Sequence, residues 1–201
     1  MKKLTACVFA LALLVLPLSF ASAESDGGEK RMMTSFETQE DLLKVNYYGM
    51  FESYFSLNTD PEFVSDGKAS LKCIVNGNDS FLPTIPKPAL KFFNAAYTGF
   101  YEAAIDIGSY REFCFDIFNF GYDDLSFAVN ITDFRKAQTY DYFTVKRGNS
   151  LHVSVPISRE KLNYVSSAGF SEFSYIAVTF EHPKAGESPK KFCIDNVYLV
   201  K

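Results

Sequence analysis

The strongest constraint on this chain is a period of two. Runs such as "EFCFDIFNF", "LSFAVNITDF", "YDYFTVKR", "SLHVSVPI" and "FSYIAVTFE" alternate core-type with surface-type residues. Successive side chains on a strand point to opposite faces, so such runs form half-buried strands. "MTSFET", "LKVNYYGMF", "ASLKCIVN", "YEAAIDI" and "FCIDNVYLV" have the same character. Twelve tyrosines and twenty-one phenylalanines reinforce it, because aromatic rings pack well on a pleated surface. Turn-forming clusters, "SDGK", "NGND", "GYDD", "RGNS" and "PKAGESPK", punctuate the runs. Helix is confined to single turns: "TQEDLL", with Thr38 as N-cap and Asp41 three residues on, and "SREKLNYV", opened by Ser158. "LPTIPKPAL" reads as extended loop, since proline removes donors and restricts its predecessor. Many short strands with regular turn signals specify an all-β chain folded as an antiparallel β-sandwich.

The first residues belong to targeting rather than to the fold. Lys2 and Lys3 precede an apolar run from Leu4 to Phe20, and "ASA" at residues 21–23 supplies a small-residue cleavage pattern. Residues 1–23 are therefore expected to be a cleaved signal peptide. "LTAC" at residues 4–7 comes before the apolar run instead of ending it, which argues against a lipid anchor. The polar "ESDGGEKR" extends this to a flexible arm over 24–32, followed by a single domain over 33–201. Without Lys2 and Lys3, 18 basic side chains face 24 acidic ones, a net charge of −6. No basic stripe remains to recruit nucleic acid, and no membrane span is expected once the leader is gone. The destination is the periplasm, cell surface or medium.

Chemistry-bearing motifs are scarce. His152 sits among alternating strand residues, His182 precedes a proline, and no metalloprotease, nucleophile-elbow or phosphate-loop pattern is present. Asp116, Asp133 and Asp141 lie on strands or their ends, but no pattern pairs two of them across a cleft as glycoside hydrolysis requires. Cys73, Cys114 and Cys193 lie in apolar alternating segments, where cysteine behaves as a small buried hydrophobe.

Three segments taken together resemble the galactose-binding-like β-jelly-roll domains, carbohydrate-binding modules in particular. They are "SFETQEDL" at 35–42, "VSDGKASLKC" at 64–73 and "FCIDNVYLV" at 192–200. The resemblance implies that the opening and closing strands meet beside the loop before the "SLK" strand, where a structural calcium commonly sits. Glu37 and Asp195 would then be carboxylate ligands, completed by backbone oxygens near Lys68 and Ser70. Calcium takes six to eight oxygens, and Gly67 would let the backbone turn to present them. Strict alternation also puts Asp195 on the side of Cys193, Val197 and Leu199, where an unpartnered carboxylate would be costly. The competing account gives Asp195 backbone hydrogen bonds and leaves Glu37 a solvated charge. The same strand neighbourhood makes a Cys73–Cys193 bridge a possibility that the resemblance raises.

A sugar-binding face needs rings as apolar platforms with polar groups around them. Tryptophan is absent, so tyrosine has to serve. Tyr140 and Tyr142 share one strand face; Asn130 and Thr132 share another, opposite Phe127, Val129 and Ile131; Asp116 and Phe118 alternate against Phe113, Phe115 and Ile117. These six are the candidate ligand residues, against the plainer account in which the tyrosines merely cover a sandwich edge. The function expected is an exported, non-catalytic module for a polysaccharide or oligosaccharide. The alternatives are a structural or protein-interaction sandwich of the cell envelope and, behind it, a hydrolase on the same scaffold.

Overall fold

The structure is a computed structural model that describes residues 28–48, 53–76, 89–92, 110–133, 138–157, 173–181, 183 and 187–201. The leader expected over 1–23, the strand expected at "YEAAIDI", the turn at "SREKLNYV" and His182 lie outside these residues. Two antiparallel sheets face each other. One holds β3 (Tyr54–Asn58), β4 (Ser70–Val75), β11 (Lys190–Val200), β6 (Glu112–Asn119) and β9 (Ser150–Pro156) in that order, with β1 (Lys30–Thr34) also pairing with β11. The other runs β2 (Val45–Tyr48), β5 (Ala89–Phe92), β10 (Phe173–Phe180), β7 (Leu125–Asp133) and β8 (Gln138–Val145). The chain is thus an antiparallel β-sandwich of the jelly-roll type. No helix among the described residues is long and apolar enough to cross a membrane.

The alternation explains the core. Phe113, Phe115 and Ile117 of β6 meet Phe127, Val129 and Ile131 of β7 and Val178 and Phe180 of β10 between the sheets. Phe115 packs on Phe127, Phe127 on Phe180 and Phe180 on Phe192, with ring centroids 6.1, 5.9 and 4.4 Å apart. Each fully buried phenylalanine contributes about 1.5–3 kcal/mol over an exposed one. The Asn119 amide helps join the two layers: it donates to the carbonyls of Asp123 and Val145 and accepts from the Gly121 N–H. That contact ties the end of β6 to the end of β8.

Several expectations shift. The arm drawn over 24–32 is strand from Lys30 onward, because β1 pairs Lys30–Met32 with Tyr198–Val200. Charged residues on an edge strand look, in sequence, like a solvated tail. Asp41 does close the turn after Thr38, accepting from its N–H at 2.9 Å and its hydroxyl at 3.1 Å, but the six residues Gln39–Lys44 wind as 3-10 helix. β3 is an addition to the expected strands, and β5 falls at the end of the proline-rich stretch that reads as loop.

The Cys73–Cys193 bridge is ruled out by register. Cys73 lies opposite Phe192 and Cys193 opposite Lys72, so their side chains leave opposite faces of one sheet. Cys73, Cys114 and Cys193 are each free and buried. Burial pushes Cys193 up to about 11 and Cys73 well above the usual thiol range, so both remain unreactive thiols.

Candidate functional site

Alternation along β8 sends Phe143 and Val145 inward and Tyr140, Tyr142 and Thr144 outward. Tyr140 is 48% exposed and Tyr142 80%. Their rings lie within 19° of parallel with centroids 6.2 Å apart. Next along the strip, the exposed hydroxyls of Ser126 and Thr144 share a hydrogen bond of 3.1 Å across β7 and β8. Lys146 and Asp124 close it with an ion pair of 2.7 Å. The outer edge of the five-stranded sheet therefore carries two apolar ring faces followed by hydroxyls and charges. Such a strip can accept the apolar face of a ring-shaped polar ligand and hydrogen-bond its rim. Thr144 and Ser126 are additions to the expected residues, although the alternation that picks out Tyr142 also picks out Thr144.

The six expected ligand residues do not form one site. Asn130 lies beside Tyr140 in register, but it is only 4% exposed and its Oδ1 accepts the Thr179 hydroxyl at 3.1 Å. It braces β7 against β10 and is not a surface acceptor. Thr132 pairs with Gln138 in the same sheet, and its side chain lies outside the described ones. Asp116 and Phe118 belong to the other sheet altogether. Phe118 is 4% exposed, with Phe63 edge-on at 6.5 Å, so it is covered rather than presented. Parity is a property of one strand; which sheet that strand joins is set by pairings far away in sequence.

Asp116 anchors a polar network on the outside of the six-stranded sheet. Its Oδ1 lies 2.6 Å from His152 Nδ1, and its Oδ2 accepts from Ser65 Oγ at 2.7 Å and Asn196 Nδ2 at 3.0 Å. His152 Nε2 faces the Tyr198 hydroxyl at 3.5 Å. Burial works to raise Asp116, but the hydrogen bonds from His152, Ser65 and Asn196 outweigh it and hold the carboxyl below its usual range. The bond to Asp116, helped by Cys114, pushes His152 up to about 9, so the ring is an imidazolium at neutral pH.

The sign of the pH dependence follows. His152 titrates near 6.5 when unfolded and near 9 when folded, so its stabilising contribution is complete below 6.5 and lost as pH rises through 9. Asp116 loses its share on the acid side, below the ordinary carboxylate range. His152 is half exposed and screened, so the pair is worth no more than about 1 kcal/mol. Urea unfolding from pH 6 to 10 should show this alkaline decline in the wild type and not in His152→Ala. An unchanged slope in the variant would remove His152 as its source.

Two further carboxylates close the sheet where β11 changes neighbours. β4 pairs with β11 as far as Ile194, and β1 takes over at Val197. Between them β11 bulges: Asp195 faces Asp116, Tyr198 faces Cys114, and Asn196 has a left-handed φ of 51°. The extra residue reverses the parity, so Val197 and Leu199 enter the core while Asp195 leaves on the outer side with Cys193. That corrects the strict alternation expected for this strand. Asp195 is nonetheless fully buried, under the bend before β4. Its Oδ2 accepts from the N–H groups of Ser65 at 2.7 Å and Asp66 at 2.9 Å and from the Ser65 hydroxyl at 3.3 Å; its Oδ1 accepts from Asn196 N–H at 2.8 Å. Burial pushes the carboxyl up to about 6 against the pull of these donors, so it is anionic at neutral pH. Glu37 reaches the same bend from beyond β1, where the Lys68 N–H lies 3.0 Å from both of its oxygens.

Glu37 and Asp195 both reach the bend before β4, but the donor set around Glu37, Lys68, Ser70 and Asp195 does not fit a calcium ion. A cation bound bidentately by Glu37 would sit between its two oxygens, and the Lys68 N–H holds that position. The Lys68 group turned toward the carboxylate is its N–H. The Ser70 hydroxyl accepts from Asn58 Nδ2 at 3.2 Å. Among the described residues no three His, Cys, Asp or Glu side chains converge to hold a metal.

With this geometry in view, the class of fold is plain: it is the β-sandwich of the carbohydrate-binding modules. A family 11 module from Clostridium thermocellum, solved with a β-1,3-1,4-mixed-linked tetrasaccharide, superposes with a TM-score of 0.52 and 11% identity over 87% of this chain and 96% of its own. A family 28 module specific for non-crystalline cellulose gives 0.54 and 12% over 87% and 96%. An exo-β-agarase gives 0.59 and 14% over 84% of this chain, which spans only 24% of that enzyme. No protein-family model matches the sequence, and no curated protein resembles it closely enough to count as a match.

Proposed function

We propose that this protein is an exported, non-catalytic carbohydrate-binding module that takes a polysaccharide or oligosaccharide on the outer edge of its five-stranded sheet. Tyr140 and Tyr142 stack on sugar rings, and the Ser126 and Thr144 hydroxyls lie in reach of the ligand's rim. The observation that carries the proposal is the pair of near-parallel, solvent-exposed tyrosine rings 6.2 Å apart. An aromatic side chain held exposed on a rigid strand costs little entropy to immobilise and suits a binding anchor. The absence of catalysis is supported by the placement of the acids. Asp116 lies on the outside of one sheet and is committed to His152, while Asp141 alternates toward the inside of the other. They do not face each other across a cleft. The modules that match over nearly their whole length bind a mixed-linkage glucan fragment and non-crystalline cellulose, which directs the choice of probes.

Native affinity electrophoresis through mixed-linkage β-glucan, soluble cellulose derivatives and agarose tests this. The wild type should be retarded by at least one polymer. Tyr140→Ala and Tyr142→Ala should each weaken that retardation about 10–30-fold, the size of an aromatic hot spot. Both side chains are exposed, so the melting midpoint should move by no more than about 2 °C. No retardation on any polymer, or retardation indifferent to both substitutions, overturns the assignment and turns attention to a protein partner.

A further inference from the structure

The bend before β4 presents a recurring need that two anions meet. Where β11 exchanges β4 for β1, the ladder is interrupted for residues 195–196, and the neighbouring bend turns the N–H groups of Ser65, Asp66 and Lys68 toward the gap. Ser65, Asp66 and Lys68 lie at the surface, and N–H groups that no ladder pairs take side-chain or water acceptors. Asp195 serves Ser65 and Asp66 from the closing strand, and Glu37 serves Lys68 from the segment after the opening strand. Gly67 lies between them with a φ of 70°, and a Cβ there would fall on Glu37 Oε1. The bend is therefore shaped to seat the carboxylates themselves. A calcium site would need that bend to aim carbonyl oxygens inward.

We propose that this junction closes without a metal ion: Glu37 and Asp195 bind the backbone amides of the bend directly and do the joining that the resemblance assigns to calcium. Convergence of the chain's two ends is retained, and the cation is dispensed with. The consequence is a module whose stability is indifferent to calcium supply, including in chelating surroundings. The inference concerns the six-stranded sheet and stands apart from the sugar-binding proposal, which concerns the other.

Elemental analysis of the full chain purified without chelator should find no stoichiometric calcium, and thermal melts in millimolar calcium chloride and in EGTA should coincide. A site filled a hundredfold above its Kd would separate those midpoints by roughly 5–11 °C. Glu37→Gln keeps an oxygen for the Lys68 N–H and should lower the midpoint equally in both media. Stoichiometric calcium in the protein, or a calcium-dependent rise in midpoint that Glu37→Gln abolishes, overturns the proposal. Glycan binding is measured separately, so its loss would leave this result untouched.

Discussion

Replacing Gly67 with alanine should lower the melting midpoint by roughly 5–15 °C. Two costs combine. The residue holds a φ of 70°, and a side chain in that region costs about 1–2 kcal/mol. The new methyl would also fall on Glu37 Oε1 and 2.5 Å from its Cδ, so the carboxylate must leave the Lys68 N–H. Loss of that partly exposed, charge-assisted bond adds about 1–2 kcal/mol. Gly148 separates the two costs, since it has a φ of 71° and no heavy atom within 4 Å of the place a methyl would take. Gly148→Ala should therefore show the backbone cost alone. In a Glu37→Ala background, Gly67→Ala should cost no more than Gly148→Ala does in the wild type. Thermal or urea unfolding of these variants beside the wild type checks this. Equal effects of the two glycine substitutions in the native background would mean that Glu37 does not hold the bend.

How much of this is legible in the sequence differs between fold and site. β6, β7, β9, β10 and β11 are readable because each turns an apolar face into the core between the sheets, so the period of two is written along it. β3 carries the same alternation, with Phe55 and Leu57 turned to the core, but its other side is Tyr54 and Ser56 on an edge and the run is only five residues long. β5 is four residues at the end of a proline-rich stretch, and there the local signal for loop prevails over the pairing that makes it a strand. Tyr140 and Tyr142 can be found because parity and exposure coincide on an edge strand. Asp116 and Phe118 do not belong with them, since β6 and β7 follow each other in sequence yet enter opposite sheets. No pattern within either strand encodes that. The bulge in β11 is the same kind of failure on a smaller scale. One left-handed residue, Asn196, shifts every later side chain to the other face. Its only local trace is an asparagine, among the non-glycine residues that tolerate this conformation most readily.

That bulge makes Asp195 a sensitive polar position, fully buried and accepting from three backbone N–H groups. Asp195→Ala removes the acceptor for Ser65 and Asp66 N–H as well as for Asn196 N–H. The residues carrying these donors are exposed or half-buried, so each donor left without a partner costs about 1–2 kcal/mol, the lower part of the range for a lost acceptor. Water reaching part of the vacated space reduces the sum, and a loss of about 3–5 kcal/mol, or roughly 10–15 °C in midpoint, is expected. Asp195→Asn should cost about half as much: its amide oxygen can still take the Ser65 and Asp66 donors, while its NH2 must face the Asn196 N–H. The two variants also separate charge from hydrogen bonding through pH. Folding raises the Asp195 carboxyl from near 3.8 to about 6, so the native state binds the extra proton in that interval. Its contribution to stability therefore declines as pH rises from 4 to 6 and is constant above. Asp195→Asn cannot titrate and should lack that decline while keeping most of the fold's resistance to urea at pH 7. Urea midpoints for the wild type and both variants, taken from pH 4 to 8, provide the measurement. If Asp195→Ala costs under about 1 kcal/mol at pH 7, the bend finds its acceptors elsewhere, and the carboxylate is a consequence of the bulge rather than what holds it.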